Sequence, residues 1–171
     1  SFAGQYLSRL NVPHEHIIQT YKEVVASLYT PRAIAYRLNK GIRDEDIAMS
    51  VACLQMVESV VSGVMYSKNP LNMLEENIII TAVWGLGPYA VEGVITPDSY
   101  TVGKNGQTIS SDISRKAVQL ISKPDGGLTE IPVADALWDK PCLSADNIAV
   151  LAGYARKLEE HYGCPQDIEW A

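Results

Sequence analysis

The clearest stretch of the chain is residues 144–170, SADNIAVLAGYARKLEEHYGCPQDIEW, in which a helical pattern is followed by a strand pattern. Its apolar side chains recur at the spacing of an amphipathic helix; they are Ile148, Leu151, Ala155, Leu158 and Tyr162. Ser144 is typical of a helix N-cap, and Gly163 is typical of a helix end. We therefore predict a helix over 145–162 and a short strand over 167–170.

Two more helices are indicated near the beginning of the chain. Residues 14–29 place a row of apolar side chains on one helical stripe; they are Ile17, Ile18, Tyr21, Val24, Val25 and Leu28. Pro31 suits the first position of a second helix because its missing N–H group is not needed there. We expect this second helix to run to about Lys40 and to end at Gly41.

Strand patterns occupy most of the region between these helices and the last one. Segment 48–57, AMSVACLQMV, is apolar on both faces and predicts a central strand with 63–67 as its hairpin partner. Residues 77–83 form a third strong pattern. Weaker patterns predict hairpins at an edge or flap; they are 100–102, 108–113, 117–121 and 129–131. This order predicts an α+β domain with a mixed or antiparallel sheet and flanking helices.

Composition excludes several classes of function. The net charge of −6 makes nucleic acid an unsuitable partner, because a phosphate backbone calls for a basic face. No apolar run approaches the roughly 20 residues of a membrane helix. The three cysteines are widely spaced and have no CxxC pair, which argues against a zinc site and is typical of a reducing cytoplasm. Cys53 lies in an apolar pattern, and we expect it to be buried.

The last predicted strand places two carboxylates on one face. Residues two apart on a strand share a face, so Asp167 and Glu169 point the same way while Ile168 and Trp170 pack behind them. Mg²⁺ takes one or two carboxylates and completes its shell with water and substrate phosphates. The pair is therefore a candidate magnesium site. The alternative is a half-exposed strand that carries two solvated acids.

Gly85 and Gly87 follow the third strand directly, in the sequence WGLGP. Glycines at a strand end let the backbone approach a ligand closely, and free N–H groups there can hold phosphate oxygens. The alternative is a tight turn without a ligand. The small-residue loop at 1–5, SFAGQ, is a second candidate for a phosphate contact, with a frayed end as its alternative.

Gln55, Met56 and Val57 follow the apolar half of the predicted central strand. A strand edge leaves backbone N–H and C=O groups free to imitate base pairing with adenine, and Met and Val side chains can enclose the ring. These residues are therefore candidates for a nucleotide hinge. The alternative is a strand that simply continues and turns.

Six blocks of sequence occur in an order typical of one enzyme family. They are SFAGQ at 1–5, PRAIAYR at 31–37, LQMVESVVSGVMYSKNP at 54–70, the strand with WGLG at 78–87, VEGVITPDSYTV at 91–102 and HYGCPQDIEWA at 161–171. Together they resemble the phosphoenolpyruvate synthases, and more broadly the nucleotide domain shared with pyruvate, phosphate dikinase and rifampicin phosphotransferase. The resemblance covers nearly the whole chain and is weakest over 104–143.

The resemblance implies that 1–171 is a fragment of an ATP-grasp nucleotide-binding domain, with 1–47 as a helical lead-in and 48–171 as the sheet-containing lobe. It implies ATP and Mg²⁺ as cofactors. It also implies a carrier histidine and a pyruvate-binding domain elsewhere in the same parent chain, which receive the phosphoryl group in turn. By position, Glu169 is then a Mg²⁺ ligand supported by Asp167, and 55–57 form the adenine hinge.

One departure from the family pattern leaves alternatives open. Pro88 stands directly after GLG, where family members commonly carry an acid. The alternatives are a non-catalytic nucleotide-binding or structural module with a degenerate site, and a dikinase with another acceptor, such as an antibiotic. Because the family's basic lobe and closing strand are expected outside this sequence, we expect the chain alone not to catalyse the full reaction.

Overall fold

The computed structural model describes residues 4–72 and 74–171. The chain divides into two compact units, the first formed by 1–56 with 122–128 and the second by 57–121 with 129–171. No helix among the described residues is both long and apolar enough to cross a membrane.

The first unit contains the two predicted helices. Helix α1, Ile17–Ala26, is extended at both ends by short 3₁₀ turns, and helix α2 is Pro31–Lys40. The Thr30 hydroxyl accepts a hydrogen bond from the Ala33 amide at 3.3 Å, and Gly41 ends α2 in the left-handed conformation with φ 66°. Both predictions are confirmed, and they succeed because capping residues mark the helix ends directly in the sequence.

Segment 48–57 is not a strand, and the prediction of a central strand there is wrong. It has no regular secondary structure, and Leu54 is 86% exposed. Cys53 is also exposed, so the expectation that it is buried is wrong too. The reason is that a central strand needs neighbours for its backbone groups on both edges, and no strand in the described part of the chain pairs with this segment.

The second unit is built on a five-stranded antiparallel sheet. Its strands are β1 (Val61–Tyr66), β2 (Ile78–Trp84), β3 (Asp98–Val102), β4 (Thr108–Asp112) and, last in sequence, β7 (Asp167–Trp170). Their spatial order is β4-β3-β2-β1-β7. Strand β1 therefore pairs with β2 and β7, and its predicted pairing with 48–57 is wrong.

Helix α4, Ala145–Tyr162, packs on one face of this sheet and closes the core. The core combines residues of the sheet, the loop before α4 and α4 itself; they are Met65, Ile78, Ile80, Ala82, Tyr100, Val102, Cys142, Leu143, Ile148, Ala152 and Ala155. The Ser144 hydroxyl accepts from the Asn147 amide at 3.2 Å, and Gly163 ends α4 with φ 68°. The predicted bounds of this helix are confirmed at both ends.

A short helix and a two-stranded hairpin complete the fold. Helix α3, Pro88–Glu92, follows the glycine turn. Strands β5 (Val118–Ser122) and β6 (Leu128–Pro132) form a separate two-stranded sheet. The weaker strand predictions are thus confirmed, with 108–112 at the edge of the main sheet and 118–132 in a hairpin outside it. The α+β class follows from this antiparallel arrangement.

Candidate functional site

Asp167 and Glu169 lie on one face of strand β7, as the period of a strand predicted. Asp167 and Glu169 are exposed, whereas Ile168 and Trp170 are partly buried and pack against the core. The ring of Trp170 lies over Gly63, with its Cζ2 atom 2.7 Å from the position that a Cβ on that glycine would take. The carboxylates therefore lie on the sheet face opposite α4, because their neighbours along the strand face the core.

The register between β1 and β7 fixes what lies beside each acid. Tyr66 is directly opposite Asp167, and Val64 is directly opposite Glu169. On the other side of β1, Ile79 is opposite Tyr66, and the Thr81 hydroxyl donates to the Val64 carbonyl at 3.1 Å. These side chains form what we call the carboxylate face; its residues are Val64, Tyr66, Ile79, Thr81, Asp167 and Glu169.

The two acids of the carboxylate face have no partner among the described residues. Neither Asp167 nor Glu169 forms an ion pair or a hydrogen bond within that part of the chain. In the same residues no group of three or more His, Cys, Asp or Glu side chains is placed to hold a metal ion. Two free carboxylates fit Mg²⁺ only when phosphates and water complete its shell, which is the usual way in which Mg²⁺ binds with nucleotides.

The two glycines of the WGLG turn differ in their surroundings. Gly85 has φ +77°, and a Cβ there would lie 2.4 Å from the Leu120 carbonyl oxygen. Its amide donates to the Val60 carbonyl at 2.8 Å, and its carbonyl accepts from the hydroxyls of Ser59 and Ser62 at 3.0 and 2.7 Å. The amide of Gly85 is thus already bonded within the domain, and glycine is required there by backbone conformation and packing.

Gly87 has no such internal requirement. Its φ is −59°, and the nearest atom to an added Cβ would be the Ser62 hydroxyl oxygen at 3.9 Å. In helix α3, which follows Gly87, the Tyr89 hydroxyl donates to the Glu130 carboxylate at 2.5 Å. This hydrogen bond raises the pKa of Tyr89. Gly87 is therefore the position in this turn where the backbone remains open to a close approach from outside.

The predicted hinge residues lie in an exposed, irregular segment. Gln55 is exposed, Met56 is partly buried and Val57 is 62% exposed. The strand edge on which the adenine argument depended is absent, so the role of these residues stays a prediction. Of the loop at 1–5, residues 1–3 lie outside the described residues.

A buried charged cluster in the second unit escaped sequence reasoning. Asp98 is fully buried and accepts from the Ser114 amide at 3.0 Å, the Cys142 amide at 2.8 Å, the Tyr100 hydroxyl at 3.2 Å and the ammonium group of Lys116. We call these residues the Asp98 cluster. Burial first, and then the Asp98 carboxylate, raise the pKa of Tyr100 and of Cys142 far above their ordinary values. Every lone pair of Asp98 is engaged in holding the fold together.

Sequence reasoning also missed Tyr66 and Thr81 as neighbours of the acids. Their alternation within β1 and β2 was readable, but the pairing of β1 with β7 was not, because about a hundred residues separate the two strands. The part of this neighbourhood that the sequence does carry is the two-residue spacing of Ser62, Val64 and Tyr66, which predicts that they share one face of a strand.

Comparison with known proteins identifies the family. All of residues 1–171 match the family described as "Pyruvate phosphate dikinase, AMP/ATP-binding domain". The chain belongs to this pyruvate phosphate dikinase AMP/ATP-binding domain family. The resemblance inferred from the sequence blocks is thereby confirmed.

Curated relatives of this AMP/ATP-binding domain carry two kinds of name. The chain is 39% identical over 179 residues to a phosphoenolpyruvate synthase of Pyrococcus furiosus, and 37% identical over 172 residues to a probable phosphoenolpyruvate synthase of Archaeoglobus fulgidus. It is 34% identical over 171 residues to a rifampicin phosphotransferase of a Streptomyces species.

These matches cover 100%, 100% and 99% of this chain but only 22%, 23% and 20% of the respective relatives. The chain therefore spans about a quarter or less of the length of these relatives.

Proposed function

We propose that this chain is the nucleotide-binding part of a phosphoenolpyruvate synthase-like dikinase, and that the carboxylate face of β7 holds Mg²⁺ and the phosphates of ATP. The observation that carries the proposal is the pair Asp167 and Glu169, which is exposed on one face and has no partner in 4–72 or 74–171. The whole length of the chain matches an AMP/ATP-binding domain family. A carboxylate without a partner in its own domain remains available to a ligand. In an ATP-binding domain that ligand is Mg²⁺ bound to the phosphates, because Mg²⁺ coordinates carboxylate oxygens.

Each residue of the site has a definite task in this proposal. Glu169 binds Mg²⁺, and Asp167 beside it binds a second position or orients a water molecule of the metal shell. When bound, the metal neutralises charge on the transferred phosphoryl group. Gly87 lets the backbone after β2 approach the nucleotide, and Gly85 holds that turn in place through its bonds to Val60 and the serines.

Gln55, Met56 and Val57 contact the adenine, and their exposure leaves them accessible to it. The domain is of the ATP-grasp type, in which a nucleotide lies against an antiparallel sheet. The antiparallel order of the five strands and the exposed acids of the edge strand β7 support this assignment.

The acceptor of the phosphoryl group is proposed from the names of the relatives. Most of the relatives described above are phosphoenolpyruvate synthases, which favours pyruvate as final acceptor, reached through a carrier histidine on another domain of the parent protein in the cytoplasm. The similarity to a rifampicin phosphotransferase favours an antibiotic acceptor as the second candidate. Incubating the complete protein with ATP and either pyruvate or rifampicin distinguishes the two, since only the true acceptor is phosphorylated.

Nucleotide binding is tested by calorimetry with ATP and Mg²⁺. We expect Glu169→Gln to weaken the binding of ATP·Mg at least about tenfold in the complete protein, because a neutral amide replaces a charged metal ligand. Asp139→Asn is the matched control, since Asp139 is an exposed acid of the same unit outside the carboxylate face. Equal affinities in the wild type, Glu169→Gln and Asp139→Asn would remove Glu169 from the metal site.

A further inference from the structure

Three hydroxyl groups lie on the carboxylate face or beside it on β1 and β2, and two of them are committed to the protein. Ser62 donates to the Gly85 carbonyl at 2.7 Å. Thr81 donates to the Val64 carbonyl at 3.1 Å and accepts from the Val64 amide at 3.3 Å. The Tyr66 hydroxyl forms no hydrogen bond with any other residue in 4–72 or 74–171. Tyr66 is thus the one free hydroxyl donor of the three.

The position of Tyr66 is set by the sheet. It is directly opposite Asp167 in the antiparallel pair of β1 and β7, so the Cβ atoms of the two residues lie about 5 Å apart on the same face. Its side chain is partly buried, and on the other side of β1 it is directly opposite Ile79 of β2. The sheet therefore fixes the place of this phenol, while its hydroxyl has no hydrogen-bond partner among the residues described.

The chemistry of the face requires a donor. Ionised Asp167 and Glu169 accept hydrogen bonds and donate none, and the oxygens of a polyphosphate also only accept. A polyphosphate seated beside two carboxylates is therefore repelled unless a metal ion and protein donors stand between or around them. Within the carboxylate face, the Tyr66 hydroxyl is the group that can donate to it.

We propose that the Tyr66 hydroxyl donates a hydrogen bond to a phosphate oxygen of the nucleotide bound beside Asp167. This inference rests on the proposed function, since it places the polyphosphate on the carboxylate face. It makes Tyr66 a binding residue for the phosphate end of the nucleotide rather than a part of the hydrophobic support of β1. Without this contact, the metal ion alone offsets the repulsion between the two carboxylates and the phosphates. The Tyr66 hydroxyl adds a hydrogen-bond donor to the site.

The test is Tyr66→Phe, which keeps the ring and removes the hydroxyl. Calorimetric titrations of the complete protein with ATP·Mg and with inorganic tripolyphosphate·Mg are compared for the wild type and the variant. We expect both affinities to fall about tenfold, as for the loss of one hydrogen bond to a charged group. Tyr154→Phe is the matched control, because Tyr154 is an exposed tyrosine of α4, on the other side of the sheet, and its affinities should not change.

Thermal unfolding of Tyr66→Phe separates binding from a structural role. We expect the midpoint to stay within about 2 °C of the wild type, since the hydroxyl has no partner in the described structure. A midpoint lowered by more than about 5 °C would contradict the inference, because the hydroxyl would then be used within the domain.

The titrations also distinguish this inference from the proposed function. Wild-type protein that binds ATP·Mg, together with a Tyr66→Phe variant of equal affinity, overturns the role of Tyr66 and leaves the proposed function intact. Loss of ATP·Mg affinity without loss of tripolyphosphate·Mg affinity also overturns it, since the contact would then be to the nucleoside. Wild-type protein that binds neither probe removes the proposed function and this inference together.

Discussion

The Asp98 cluster and the carboxylate face contain acids of the same kind in opposite situations. Asp98 is fully buried and accepts from four donors on β3, the loop before β5 and the loop before α4. Asp167 and Glu169, on the edge strand of the same sheet, are exposed and accept from none of the described residues. The first acid is committed to the fold, and the other two remain available to a ligand.

The difference follows from the cost of burying charge. A buried carboxylate strongly destabilises a fold unless hydrogen bonds satisfy its lone pairs. Asp98 accordingly accepts from an ammonium group, a phenol and two backbone amides. An exposed carboxylate is satisfied by water and needs no partner, which leaves it free to exchange water for a metal ion. Substitutions at the two places should therefore affect different quantities: stability at Asp98, and nucleotide affinity at Glu169.

The largest effect is expected in the Asp98 cluster. Asp98→Asn leaves the ammonium group of Lys116 buried without a counter-charge, and Lys116→Met leaves the carboxylate in the same state. Each single change should lower the free energy of unfolding by about 3–5 kcal/mol. The double variant should lose less than the sum of the two, because it leaves neither charge alone. Urea unfolding measures all three, and a loss below about 1 kcal/mol in either single variant would show that the cluster does not hold the fold.

The next effect separates the two glycines of the WGLG turn. Gly85→Ala should destabilise the domain by about 2 kcal/mol or more, because alanine at φ +77° is strained and its Cβ would meet the Leu120 carbonyl. Gly87→Ala should change stability by less than about 1 kcal/mol and should weaken ATP·Mg binding instead. Urea unfolding and calorimetry on both variants check this. The distinction fails if the two alanines have the same effect on stability.

A small effect on stability is expected on the carboxylate face itself. Asp167→Asn and Glu169→Gln should each change the free energy of unfolding by less than about 0.5 kcal/mol, since both side chains are exposed and neither pairs with any residue that the structure describes. This is the counterpart of the Asp98 variants and is measured in the same urea experiment. A loss above about 1 kcal/mol in either variant would mean that the acids serve the fold, and the comparison with Asp98 would break down.

The smallest effect is expected in the irregular segment of the first unit. Leu54→Ser should leave stability within about 0.5 kcal/mol of the wild type, because Leu54 is 86% exposed. If 48–57 were the buried central strand that its composition indicates, the same change would cost about 3 kcal/mol or more. Thermal or urea unfolding of this single variant therefore decides between the two descriptions of the segment.

The elements that the sequence predicts well are those with local signals. Helix α4 carries a capping serine, a regular apolar stripe and a terminal glycine within 20 residues, and β7 carries strict alternation. Segment 48–57 has the composition of a strand, but the sequence does not indicate which strand would pair with it. In the described structure no strand pairs with this segment. Local pattern specifies the type of an element, and non-local pairing decides whether the element forms.

The site follows the same rule. The common face of Asp167 and Glu169 was predictable from the period of a strand. The neighbourhood of Tyr66 depends on a register between strands about a hundred residues apart, and the Asp98 cluster joins positions that are 2 to 44 residues apart in sequence. Such contacts are products of the folded sheet and leave no periodic trace in the chain.

The central claim is that the nucleotide's metal ion binds on the face of β7 that carries Asp167 and Glu169. Replacing Mg²⁺ by paramagnetic Mn²⁺ in the presence of ATP, and recording amide NMR signals of the labelled protein, locates the ion directly. We predict that signals of 64–66 and 167–170 broaden most, and that those around Asp98 and Cys142 in the core broaden least. Strongest broadening elsewhere in the protein, with the signals of β7 unchanged, would contradict the account.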